Sequence, residues 1–286
     1  MTSAPPPVQL GITLGRLNPA AWEGVAVLAE ALGFESVWMS DHLAIPYRLD
    51  GQLAGARAED KLARTTPLFD PPSYLSFLAG RTSRVKLGTL VYLLGLRHPF
   101  VSARGFATLD QVSRGRALAG VGAGWLRSEF EAVGVDPAAR GRLLDEAIGV
   151  VRRLWTDEAV GSDGPFFPFE AVGFEPKPVR PIPILVGGES RRALARAAEH
   201  GDGWLGMGHD PVSARARVEQ LRELRARGGR AGEPFTITVL ARDPGPGDLD
   251  AYALAGVDRV IVAPWRSSRT AEEDLRAYAA HVALGG

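Results

Sequence analysis

The sequence predicts an α/β fold of the (β/α)8 TIM barrel type. Eight short apolar or β-branched runs, at 8–14, 36–40, 84–93, 117–122, 182–187, 202–207, 235–240 and 258–263, alternate with helical stretches along the chain. Most of these runs are near-continuously apolar, as expected of parallel strands buried on both faces. Eight strand–helix units within 286 residues also close a barrel more readily than they extend an open sheet.

The elements follow in order. The first helix begins at Asn18 before Pro19, a side-chain cap followed by a residue with no N–H to satisfy. It places Trp22, Val25, Leu28 and Leu32 on one face and stops at Gly33. Asp136 before Pro137 opens a helix over about 139–155, with Leu144, Ile148, Val151 and Trp155 on its apolar face. Asp210 before Pro211 opens another, and Thr270 with Glu273 reads as a capping box for the last. Two excursions break the rhythm. Residues 43–71, after the second strand, are rich in Gly, Ala, Arg and Pro and are placed to arch over the barrel mouth as a lid; residues 156–181 precede the fifth strand. With no repeat and no linker, residues 1–286 read as a single domain.

Composition narrows the function classes. Lys+Arg and Asp+Glu are equal at 33 each, so no net field draws the protein to nucleic acid or a membrane surface. The absence of cysteine excludes disulfides, thiolate metal sites and a cysteine nucleophile. "MTSAPPPVQLG" lacks the basic and apolar regions of a signal peptide, and no run of eighteen apolar residues occurs, so a cytoplasmic location is the expectation. Neither H-E-x-x-H nor G-x-S-x-G is present, and no His/Asp set has metal-ligand spacing. Hydrolytic and metal chemistry therefore lack residue support, and a bound organic cofactor that brings its own reactive atom is the natural alternative.

Three clusters at strand ends are candidate sites, since barrels of this kind act at the C-terminal ends of their strands. In "VWMSDHL" (37–43) a buried strand runs into Asp41 and His42. A carboxylate beside an imidazole can orient it as a proton donor or polar anchor; equally, Asp41 can cap the loop and His42 merely satisfy it. In "GVGAGWLRSEF" (120–130), Gly120, Gly122 and Gly124 either admit a flat ligand to the backbone or permit tight packing. The spacing is not that of a dinucleotide fingerprint. In "LVGGESRRALARAA" (185–198), Gly187, Gly188 and Ser190 before a helix suit an anion, with Arg191 or Arg192 adding charge; Glu189 could alternatively serve the helix dipole.

Taken in order, "SDH", "RVKLGTLVYLLGLRHPFVSARGFATLDQVSRGR", "GVGAGWLRSEFEAVGV", "RLLDEAIGVVRRLW", "PIPILVGGES" and "AAEHGDGWL" resemble the luciferase-like monooxygenase superfamily over about residues 8–210, particularly its coenzyme F420-dependent branch. The resemblance implies a deazaflavin, or in other branches FMN, held in the barrel mouth, and hydride transfer to or from a small-molecule substrate. It implies cofactor contacts from Asp41, Leu90, Val91, Ala123, Gly124 and Ser128, with a non-prolyl cis peptide at Leu90–Val91. It implies phosphate binding by Gly187, Gly188, Ser190 and Arg191, a catalytic role for His42, and a homodimer. Where sugar-phosphate dehydrogenases of the superfamily carry a catalytic glutamate after the glycine run, this chain has Trp125, which would wall an apolar substrate pocket. Glu129, one helical turn on, is no evident substitute, since a helix rotates it roughly 400° and raises it about 6 Å from Trp125. Reduction of an enone or imine is then favoured over sugar-phosphate oxidation. An FMN-dependent monooxygenase and a non-catalytic ligand-binding barrel are the alternatives. Phosphate binding after the fifth strand departs from the general barrel expectation of strands seven and eight; either a strand within 156–181 goes uncounted or the family departs from that rule.

Overall fold

A computed structural model describes residues 6–50, 52–53, 56–57 and 63–284. Eight parallel strands close a barrel in sequence order: β1 (Gln9–Thr13), β2 (Ser36–Met39), β3 (Lys86–Thr89), β4 (Ala117–Val121), β5 (Ile184–Gly187), β6 (Gly203–Met207), β7 (Thr236–Leu240) and β8 (Arg259–Val262), with β8 returning to β1 through Gln9 opposite Arg259. Outside it lie α1 (Trp22–Ala31), α2 (Pro71–Ala79), α3 (Pro99–Ser113), the short α4 (Arg127–Ala132), α5 (Arg140–Thr156), α6 (Arg191–His200), α7 (Pro211–Arg227), α8 (Pro246–Ala255) and α9 (Ala271–His281).

Apolar strands are needed because both faces are covered. Trp38, Leu118, Leu185, Leu205 and Ile261 fill the barrel interior, while Val37, Leu87, Val121, Val186, Val239 and Val260 belong to the outer layer shared with the helices. Trp38 fits because its neighbours on both sides are small. A Cβ on Gly88 of β3 would lie 2.4 Å from the Trp38 ring, so Gly88→Ala must displace a fully buried indole. We expect it to cost about 1–3 kcal/mol, read as a lower denaturant midpoint.

The lower end of the interior is closed by charge. Arg259 binds Glu35 bidentately at 2.7 and 2.8 Å, Lys86 adds a bond of 2.7 Å, and the Arg259 guanidinium lies 5.5 Å from the Trp38 ring. Burial opposes the Glu35 charge, but Arg259 and Lys86 outweigh it and hold the carboxyl at about 2. A depressed carboxyl pKa contributes stability above its unfolded value and loses it as pH falls toward the folded one. We therefore expect on the order of 3 kcal/mol to disappear between about pH 4.5 and pH 2, and Glu35→Gln to flatten that limb of a pH series of urea unfolding curves.

Helix starts at Asn18 and Asp210 match the sequence reading, the latter a full capping box with Ser213. Asp136 instead caps a turn, and α5 begins at Arg140. The Thr270 side chain does not cap α9; its hydroxyl donates to Asp274, which is also bound by Arg266. The third strand is shorter than 84–93: it runs Lys86–Thr89, the Leu90–Val91 peptide that follows is cis, and Tyr92 bridges to Val121.

Residues 156–181 hold no barrel strand. They form an antiparallel pair, Val160–Ser162 with Phe169–Val172, fastened to α5 by Glu146, which accepts the Phe166 and Phe167 N–H groups, and to α3 by Asp110, which accepts from Val179. The strand bearing the double glycine is thus the fifth, and no strand was miscounted. Part of the proposed lid, residues 51, 54–55 and 58–62, lies outside the described residues. Residues up to Asp50 rest on the start of α4: Asp50 accepts from Ser128 N at 2.7 Å and from Arg127 N at 3.2 Å, while Ile45 and Leu49 pack with Trp125 and Leu126.

Candidate active site

Four adjacent strand ends, those of β2 to β5, deliver the predicted residues to one side of the mouth: Asp41 and His42; Leu90 and Val91; Ala123, Gly124, Trp125 and Ser128; Gly187, Gly188, Ser190 and Arg191. Leu90, Val91 and Leu240 sit half-buried on the interior cluster and give the barrel an apolar top. The glycines make room for it. A Cβ on Gly122 or Gly187 would lie 2.4 or 2.7 Å from a Val91 methyl carbon, and one on Gly120 would strike the Thr89 carbonyl. Gly124 has φ +77°, and a Cβ there would meet the Phe130 ring at 2.6 Å. Packing thus accounts for all three glycines of the fourth-strand cluster, where the sequence also allowed for ligand approach.

Asp41 and His42 part company. The Asp41 carboxylate, with a fully buried side chain, takes Arg97 Nη1 and Nη2 at 2.7 and 2.9 Å and Leu93 N at 2.8 Å. Both its oxygens are occupied within the protein. Burial works against the Arg97 charge, but Asp41 outweighs it and raises the guanidinium pKa, and the Arg97 guanidinium stacks 4.3 Å from the Tyr92 ring. Burial pushes the Tyr92 phenol up to about 12, which removes it from proton transfer near neutrality.

His42 is met by Glu129. Its Nδ1 lies 2.8 Å from Glu129 Oε2, while Oε1 accepts the Leu43 and Ala44 N–H groups at 2.5 and 3.3 Å. Two expectations are corrected here. The carboxylate that orients His42 is Glu129, not Asp41, and a carboxylate does follow the glycine run. The helical projection fails because α4 begins only at Arg127, after Leu126 in extended conformation (φ −89°, ψ 102°), so Trp125 and Glu129 do not share a helix. Trp125 stands edge-on to His42, ring centroids 5.7 Å apart. Nothing local in the sequence announces the partners Arg97 or Glu129, which come from 56 and 87 residues away. The one hint is Arg97 closing an apolar run.

At the fifth strand, Ser190 caps α6 by accepting from Ala193 N, and Arg191 and Arg192 are exposed in its first turn. Gly188 has φ +129°. Glu189 serves neighbouring backbone rather than the helix end: it accepts Met207 N at 2.8 Å and lies 2.8 Å from His209 Nε2, tying the end of β5 to that of β6. A cavity of about 940 Å³ opens at the opposite end of the barrel, but Lys86 and Arg259 in its wall are already bound to Glu35. Among the described residues no three His, Asp or Glu groups gather as metal ligands, and no helix is long and apolar enough to cross a membrane.

The sequence matches the family described as luciferase-like monooxygenase over residues 2–283. The chain belongs to that family. This luciferase-like protein is therefore an enzyme of a redox family. It is 35% identical over 277 residues to an uncharacterised protein of Mycobacterium tuberculosis, covering 93% of each chain. It is 33% identical over 237 residues to the F420-dependent glucose-6-phosphate dehydrogenase of Kineococcus radiotolerans, covering 79% of this chain and 65% of that one. The fold matches an F420-dependent secondary alcohol dehydrogenase solved with an F420–acetone adduct (TM-score 0.77, 18% identity, 97% and 99% of the two chains). It also matches a monooxygenase of Streptomyces bottropensis (TM-score 0.75, 21% identity, 96% and 99%).

Proposed function

We propose that the protein is an oxidoreductase that uses coenzyme F420 to reduce a small organic acceptor such as an enone or imine. The observation that carries this reading is the pairing, at one mouth, of an apolar shelf with His42, whose Nε2 has no partner among the described residues. The residues fit the cofactor: Leu90, Val91 and Leu240 offer a flat apolar seat, the glycines beside Val91 keep it clear of side chains, and the α6 start with Ser190, Arg191 and Arg192 suits a phosphate. Relatives at 33% and 32% identity named as F420-dependent dehydrogenases point to the same cofactor.

Bound there, F420 supplies the hydride chemistry at its central ring. The protein's part is to seat the ring, exclude water with Trp125, Ile45 and Leu49, and manage one proton at His42 Nε2. Trp125 directly after Gly124, with the Glu129 carboxylate buried behind His42, favours an apolar acceptor over a sugar phosphate.

Separate fluorescence titrations of the protein with F420 and FMN test the cofactor, followed by assay of a panel of enones, imines and secondary alcohols. Binding of FMN without F420 would overturn the reading in favour of a flavin monooxygenase, and binding of neither would leave a barrel without this chemistry. Ser190→Asp refines the phosphate assignment. Aspartate caps a helix as well as serine, so the fold is kept, while its charge should weaken F420 binding about tenfold, or ~1.4 kcal/mol, less so in high salt. Parental affinity in this variant would remove the phosphate from α6.

A further inference from the structure

We infer that Glu129 is the positioning residue that decides which nitrogen of His42 carries the proton, holding it on Nδ1 and leaving Nε2 open to the mouth. The inference depends on the proposed function only for its effect on turnover; the tautomer is a property of the protein alone.

The geometry leaves Glu129 little choice. It is fully buried, and its Oε1 receives two backbone N–H groups, those of Leu43 and Ala44, neither of which can accept. That fixes the carboxylate plane and presents Oε2 to His42 Nδ1 at 2.8 Å. A carboxylate oxygen only accepts, so Nδ1 must donate. A neutral imidazole has one ring proton; with it on Nδ1, Nε2 keeps its lone pair. No described residue bonds Nε2, and the edge-on Trp125 ring limits how the imidazole can turn. The same carboxylate therefore sets the imidazole's tautomer and the path of the chain immediately after it. Being fully buried, Glu129 can reach a substrate only through His42.

Glu129→Gln discriminates sharply because it conserves shape and reverses one partner. The amide oxygen must stay with Leu43 and Ala44 N–H, since an NH2 group there would face two donors. The NH2 group then faces Nδ1, which must accept, and the ring proton moves to Nε2. A histidine in that state cannot take a proton at the mouth.

The experiment is long-range ¹H–¹⁵N NMR of the ligand-free protein labelled at its five histidines, with the His42 resonances identified by their loss in His42→Ala. In the parental protein the neutral His42 ring should show a protonated Nδ1 and an unprotonated Nε2, and Glu129→Gln should exchange the two. In F420 turnover the same variant should lose about 10²–10⁴-fold, with the double variant Glu129→Gln/His42→Ala no slower than His42→Ala alone. A parental ring protonated on Nε2 overturns the inference, as does an unchanged tautomer in folded Glu129→Gln. The parental spectrum decides the matter even if that variant does not fold, and Glu129→Asp, which keeps an acceptor-only group, should retain the parental tautomer. An exchanged tautomer with undiminished hydride transfer upholds the inference and removes His42 from the proposed reaction.

Discussion

His42→Ala is expected to lower single-turnover hydride transfer with F420 by about 10²–10⁴-fold, the usual loss when a general acid or base is removed, while F420 affinity falls far less. Its Nδ1 is bound by Glu129, and its Nε2 has no partner among the described residues. A ring held on one side and free on the other is suited to work on a ligand. The competing account makes His42 a loop contact and expects a cost of about 1–3 kcal/mol in stability with turnover preserved. The structure requires some of that cost in either case, because removing the imidazole strands Glu129 Oε2 in a buried position. A lower melting temperature thus does not discriminate. Rate per folded molecule does, measured by stopped-flow absorbance of F420 with an acceptor the parental enzyme reduces. An early-melting variant that transfers hydride at the parental rate would reduce "SDHL" to loop architecture.

The barrel could be read from the sequence because its determinants are local. Continuous apolar runs, Pro after a capping Asn or Asp, and glycine at Gly33 each act over a few residues, and Gly33 does adopt φ +90°. Placement of the candidate residues at strand ends follows from the barrel itself. What stayed hidden is pairwise and distant. Asp41 and His42 are neighbours in sequence, yet one turns to Arg97 after β3 and the other to Glu129 on α4. No periodicity encodes such a choice. The helical projection to Glu129 fails for a specific reason: Leu126 is extended and α4 begins only at Arg127, so Trp125 and Glu129 do not lie on one helix. The three glycines of the fourth strand were open to two readings because the chain does not reveal that Thr89, Val91 and Phe130 lie against them.

Asp41→Asn is expected to destabilise the fold by about 3–5 kcal/mol, the cost of breaking a buried ion pair by removing one partner. The side chains of Asp41 and Arg97 are 0% and 9% exposed, so water cannot replace what is lost. Asparagine keeps the shape but presents an NH2 group to one of three donors, Arg97 Nη1, Arg97 Nη2 or Leu93 N, and leaves the guanidinium charge uncompensated over the Tyr92 ring. The pair also clamps the end of β2 to the segment following the Leu90–Val91 shelf, so its loss should loosen the seat as well as lower the melting temperature, by roughly 10 °C. Asp41→Leu with Arg97→Met removes both charges and should recover much of the stability. The resemblance instead implied a direct cofactor contact from Asp41, and that account expects F420 affinity to collapse while unfolding is unchanged. Urea unfolding and F420 titration of the same Asp41→Asn preparation separate the two. A parental unfolding midpoint would mean that the buried pair does not hold the mouth together, and with both carboxylate oxygens occupied by Arg97 and Leu93 the loss should fall on the fold first.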